Sequence, residues 1–345
     1  MSVNNPQLSK MLAIMRQQPG NAELALFLGA RLEEAGNAEQ AVALWSLGDD
    51  VGGFVRNVRN DSRATKEMQA DSKLANGKIC ERLTKLHDQS IDDFERHSGE
   101  RVPRIRRGIW CLTNNEEFEF ADPLQKPVIF YVPELSVQPV WDGSQLEKLS
   151  PLVDGFSQVA SEYSVAAEKL NLTEPYVPRS TPGREWLKLR GTLDWSALYL
   201  FKDSKPTENT QLFPETVKLF EQLDIVRVNQ NPMEIFFSRL TPGAHIPPHF
   251  GLTNSRLTVH LPLTVPNNCA IRVKDREHCW TPGEPFAFDD SFEHEAWNRS
   301  EEDRVVLIFE IHHPALSPSE CNAIEYCYAA RDRWLNNRRK ILGWD

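Results

Sequence analysis

Between residues 233 and 313, five short β-prone segments follow one another with no room for a helix between them. They read MEIFFSRL (233–240), SRLTVHLPL (255–263), CAIRV (269–273), EPFAFDD (284–290) and RVVLIFEIHH (304–313), and Pro, Gly and Asn turns separate them. A parallel α/β sheet needs crossover helices, and these spacings leave no place for them. The pattern therefore predicts many short strands in a double-sheet jelly roll. Upstream, KPVIFYVPEL (126–135) contains a short β-prone run, LDWSALYLF (193–201) alternates as a strand does, and FPETVKLFEQL (213–223) reads as a short helix.

The flanks read differently. In NAELALFLGARLEEAG, Leu24, Leu28 and Leu32 recur every four residues, Asn21 is a cap candidate and Gly36 a stop. NAEQAVALWSLG repeats this logic with Asn37 as cap and Ala41, Leu44 and Trp45 on one face, and the small Gly29 and Ala41 would let two helices approach closely. Two readings fit: a single tetratricopeptide-type repeat, or an ordinary helical hairpin. Residues 51–100 continue as one or two polar helices. The tail SPSECNAIEYCYAARDRWLNNRRKILGW has a Ser-x-x-Glu capping box at Ser317 or Ser319 and reads as a terminal helix.

Bulk properties exclude several function classes. A formal net charge of -10 over 345 residues gives no reason to expect a nucleic-acid surface, and the basic RVPRIRRG (101–108) reads as a solvated linker. No apolar run reaches membrane-spanning length, and MSVNNPQLSK lacks the charged-then-apolar pattern of a secretory signal. The six cysteines form no CxxC pair and are expected as free thiols in a reducing cytoplasm.

Two stretches can carry metal chemistry. HIPPHFG (245–251) places His245 and His249 around a Pro-Pro pair, which argues against a helix, so the histidines cannot be read as two ligands on one helical face. FDDSFEHEAW (288–297) sets His294 among Asp289, Asp290, Glu293 and Glu295. His249 and His294 are expected in loops that converge at the open end of a barrel. Two neutral imidazoles suit Fe(II), normally with one carboxylate beside them. Here His249 is followed two residues later by Gly251, which offers no side chain.

PGAHIPPHFGLTNSRLTVHLPL and FDDSFEHEAWNRSEEDRVVLIFEIHHPAL, supported by FYVPEL, FPETVKLF and FFSRLTPG, resemble the aspartyl/asparaginyl β-hydroxylase family of iron(II)- and 2-oxoglutarate-dependent dioxygenases over about residues 125–318. The resemblance implies a mainly β catalytic domain, a double-stranded β-helix (jelly roll, cupin-like), over 106–345 with the C-terminal helix included and a helical region over 1–105. It implies His249 and His294 as iron ligands with no carboxylate, so Gly251 agrees with the family. Arg304 would clamp the distal carboxylate of 2-oxoglutarate, since arginine offers a permanently charged bidentate fork. Ser238 and His260 would lie around the cosubstrate, with His260 facing inward if Val259 faces out. Asp289, Asp290, Glu293 and Glu295 are expected to orient histidines or waters rather than bind iron, and His245 and His313 to be structural.

The implied reaction is C–H hydroxylation using O2, with succinate and CO2 as coproducts. Protein-hydroxylating members carry an arginine where this chain has Thr258; Arg256 is retained, but a hydroxyl cannot replace that charge. The expected substrate is a peptide or protein residue or a small amino acid-like molecule. Two rivals remain: a same-fold radical halogenase, which Gly251 permits, and a non-enzymatic jelly-roll binding module.

Overall fold

A computed structural model of the protein describes residues 6–50, 52–141, 143–167, 173–228 and 230–344, so part of the opening decapeptide considered above lies outside it. The chain divides into two compact units: residues 1–118 with 318–345, and residues 119–317.

The first unit is helical. Helices α1 (Pro6–Gln17), α2 (Ala22–Glu34), α3 (Ala38–Asp49) and α4 (Lys66–Ser98) bury a common core with the C-terminal helix, called α7 below (Pro318–Ile341). Asn21 caps α2 by accepting from the Leu24 amide, and Gly36 ends the turn after it at φ 77°. Asn37 stands at the cap position of α3 but makes no side-chain cap bond. Gly29 matters for the reason expected: a Cβ there would lie 2.2 Å from Nε1 of Trp45, and that Nε1 donates to the Leu26 carbonyl at 3.1 Å.

Two expectations need correction here. The terminal helix does not belong with the β domain. Its Trp334, with Leu342 and Trp344 just beyond, is buried among the helices of the first unit, and Arg338 donates to Ser46 and Asp50. Nor is RVPRIRRG a solvated linker. Pro103–Arg106 forms a helical turn whose arginines are matched by acids, Arg104 with Glu320 at 2.7 Å and Arg106 with Glu95 at 3.0 Å.

The second unit is the double-stranded β-helix. Its larger sheet runs β1-β9-β6-β11-β4-β3-β2, where β1 is Val140–Trp141, β2 Glu174–Pro175, β3 Trp195–Lys202, β4 Ile235–Leu240, β6 Arg256–Thr264, β9 Phe286–Phe288 and β11 Arg304–His312. Lys205–Pro206 adds an eighth strand against β3. The smaller sheet runs β5-β10-β7-β8, with β5 His245–His249, β7 Cys269–Val273, β8 Arg276–His278 and β10 His294–Asn298. Every strand pair within these two sheets is antiparallel.

The larger sheet is buried on both faces. Leu257, Val259, Leu261, Val305, Leu307 and Phe309 pack against a layer that includes α5 (Phe156–Ala167) and α6 (Pro214–Glu221). Val259 therefore faces a second core, not solvent, while His260 points the other way. The alternate residues of β6 and β11 face the space between the two sheets, where the site lies.

Candidate active site

His249 and His294 are not loop residues. They end β5 and begin β10, and the antiparallel register places them directly opposite each other. β5 escaped notice because Pro247 and Pro248 erase its strand signal. The structure tolerates them because β5 is an edge strand, where missing amide donors cost nothing, and the register shifts between Ile246 and His249. The two ring centroids lie 4.1 Å apart. Nδ1 of His249 donates to the Pro247 carbonyl at 2.8 Å and Nδ1 of His294 to the Phe292 carbonyl at 3.0 Å, which leaves Nε2 of each neutral ring as its lone-pair nitrogen. Burial pulls the His249 ring below its ordinary range; burial, then its neighbour His249, pulls His294 down to about 3. Both are thus neutral donors at neutral pH.

The loop after His249 is held from two sides. The Gly251 and Leu252 carbonyls accept from Val128 and Ile129, so the segment KPVIFYVPEL serves as a brace more than as a strand. The Gly251 amide donates to the Asp290 carbonyl at 2.6 Å, and a Cβ at 251 would meet the Asp290 carboxylate at 2.1 Å. The side chain of Asp290 occupies the space that an acid at 251 would need.

The remaining acids have partners that explain them. Asp289 accepts from Gln125 and from Ser291; Glu293 and Glu295 pair with Arg272; Glu295 also takes His245 at 2.8 Å. His313 is held near Ser136 and accepts from the Ala315 amide. Among the described residues, no three His, Cys, Asp or Glu side chains converge as a metal site.

A cavity of about 440 Å³ runs between the sheets and is lined by His249, His294, Ser238, His260, Arg304 and Thr258, among others. Arg304 is only 1% exposed, yet no carboxylate answers it among the described residues. Its Nη1 reaches Ser238 Oγ at 3.4 Å, Trp195 Nε1 donates to the same oxygen at 3.1 Å, and Nε has no partner among the described residues. Desolvation pulls this guanidinium down to about 10, so it stays charged at neutral pH. Nδ1 of the buried His260 is likewise without a partner among the described residues, and burial, then Arg304, holds that ring well below its ordinary range. A buried cation and an orphaned ring nitrogen facing one cavity are what an anionic ligand would satisfy.

Sequence reasoning missed the aromatic frame. Trp280 stacks over Arg304 with Cζ 5.1 Å from the ring centroid, and Trp186 meets His249 edge-on at 5.3 Å. Neither tryptophan stands near a recognisable motif.

Residues 156–314 match the family described as Aspartyl/Asparaginyl beta-hydroxylase. The chain carries an aspartyl/asparaginyl β-hydroxylase domain. Aspartate beta-hydroxylase domain-containing protein 2 of Xenopus tropicalis is 27% identical over 288 residues, covering 79% of this chain and 75% of that protein. The aspartyl/asparaginyl beta-hydroxylase of Homo sapiens is 28% identical over 264 residues, 71% of this chain but 33% of that protein. The ornithine lipid ester-linked acyl 2-hydroxylase of Rhizobium tropici is 43% identical over 86 residues, 24% of this chain and 31% of that protein. The family supports a hydroxylase-type oxygenase function. No helix among the described residues is long and apolar enough to cross a membrane.

Proposed function

We propose that the hydroxylase domain uses Fe(II), 2-oxoglutarate and O2 to hydroxylate a C–H bond of an amino acid residue in a peptide or protein, or of a small amino acid-like molecule. The observation that carries this reading is one cavity flanked by a neutral, cross-strand histidine pair and a buried arginine with no counter-ion among the described residues. The donor set fits: His249 and His294 would hold Fe(II) through Nε2, and Arg304 would take the distal carboxylate of 2-oxoglutarate beside Ser238 and His260. Bound there, the metal and cosubstrate would supply the oxidising power, with succinate and CO2 released.

The chain's own residues then do three things. The Pro247 and Phe292 carbonyls fix both ring tautomers. Trp195 and Ser238 hold the arginine end in place, and the aromatic walls limit water around the reacting centre. The match to a hydroxylase family favours hydroxylation over halogenation. The neutral His249–His294 pair beside the buried Arg304 speaks against a non-enzymatic module that merely binds a small acid.

The test is succinate formation by the purified chain with Fe(II) and 2-oxoglutarate, alongside His249→Ala and His294→Ala. The expected outcome is metal-dependent turnover in the parent and none in either variant, with metal binding lost in both by calorimetry. Equal metal binding by the variants would remove the two histidines from the assignment.

A further inference from the structure

The cavity is polarised along its length. On β11, Arg304, Ile308 and Glu310 line it, so by alternation Arg304 and Glu310 share a face six residues apart, about 20 Å at the rise of an antiparallel strand. The arginine end is cationic and carries the Arg304 Nε and His260 Nδ1 atoms that have no partner among the described residues, which mark the cavity as built around a ligand. The other end is acidic. Glu234, Asp290 and Glu310 all line it, and Arg304, at the far end, is the only Arg or Lys among the described lining residues.

These three carboxylates are not equally satisfied. Glu310 pairs with Arg256 at 3.2 Å, and Asp290 accepts from Thr258 at 3.2 Å. The register sets Thr258 opposite Glu310. Glu234 has neither a hydrogen bond nor an ion pair among the described residues, although it is half-buried. Tyr176 and Phe236, stacked at 5.4 Å between centroids, line the wall beside it. The faces of these rings attract cations and repel carboxylates.

We propose that the substrate presents a cationic group on an apolar stem, an ammonium or guanidinium, to Glu234 with Asp290 and Glu310 around it and Tyr176 and Phe236 along the stem. The inference rests on the oxygenase reading, which assigns the Arg304 end to 2-oxoglutarate and leaves the acidic end for substrate. A substrate carboxylate there would meet three acidic side chains and, apart from the Arg256 already paired with Glu310, no cation among the described residues of that end to answer it, a costly arrangement in a poorly solvated space.

The experiment measures binding of Nα-acetyl methylamides of lysine, arginine, norleucine and glutamate to the full chain by ligand-observed NMR, with 2-oxoglutarate affinity measured in parallel. The lysine or arginine derivative is expected to bind at least tenfold tighter than norleucine, with the glutamate derivative weakest. Glu234→Gln should cut that preference at least fivefold while retaining 2-oxoglutarate binding, and Thr258→Arg should shift preference toward glutamate. Equal binding of lysine and norleucine, tighter binding of glutamate, or no saturable binding of either cationic probe would overturn the proposal. Failure of the parent to bind 2-oxoglutarate would sink the oxygenase reading instead, and the order of the four probes still decides the charge preference separately.

Discussion

At Gly251, a Cβ would sit 2.1 Å from the Asp290 carboxyl carbon, so a side chain there must displace a buried acid that Thr258 already bonds. Gly251→Asp is therefore expected not to create a three-ligand site but to lower both thermal stability and metal affinity; tighter metal binding by calorimetry would contradict this. Arg304→Ala should weaken 2-oxoglutarate binding by about 2–5 kcal/mol, a loss of about thirtyfold or more, with the fold intact by circular dichroism. Unchanged affinity would mean that another cation holds the dicarboxylate. Glu234 yields a pH prediction. Burial, then the charge of Glu310, raises its carboxyl to about 7, above the roughly 4.3 of an unfolded glutamate. The folded state thus holds a proton that the unfolded state has lost, and stability falls as pH rises through that window. Relative to Glu234→Gln, the parent should be more stable at pH 5 than at pH 8 by urea unfolding; a pH-independent difference would refute the assignment.

The functional geometry comes from how strands pair. β5 and β10 bring two histidines 45 residues apart in sequence into one cross-strand pair, and each ring is oriented by a carbonyl two residues earlier on its own chain. β11 does the same for charge, carrying Arg304 at one end and Glu310 at the other. In the helical unit the critical pairing is α2 with α3 at Gly29. Gly29→Ala forces a methyl group onto the buried Trp45 indole, an overpacking expected to cost about 1–3 kcal/mol. A Tm equal to that of the parent would show that the hairpin yields more easily than its packing indicates.

At the scale of the molecule, one unit is continuous in sequence and the other is not. Residues 119–317 contain both sheets and every residue assigned to the site, so a fragment with these bounds is expected to unfold cooperatively and bind 2-oxoglutarate. The helical unit closes only when α7 joins it. Deleting 318–345 removes Trp334, Leu342 and Trp344 from its core, each worth about 1.5–3 kcal/mol of burial, together with the Arg338–Asp50 pair. Calorimetry should then show the helical transition lost or lowered by many degrees while that of residues 119–317 persists. Loss of both transitions would show that the two units depend on each other.

Five of the eight strands between residues 235 and 312, the helical character of the flanks and the candidacy of His249, His294 and Arg304 were legible in the sequence, because strand alternation, turn residues and long motifs are local properties. The resemblance also named Ser238, His260 and Thr258, and all three line one cavity with the histidines. What escaped is non-local. Pro247 and Pro248 hide a strand that only an edge position permits; the terminal helix carries no mark of the unit whose core it completes; Trp280 reaches Arg304 across the chain. The acidic end of the cavity was likewise invisible. Glu234, Asp290 and Glu310 are ordinary acids in sequence, and only the meeting of β4, β11 and the turn after β9 gathers the three carboxyl groups in one poorly solvated space.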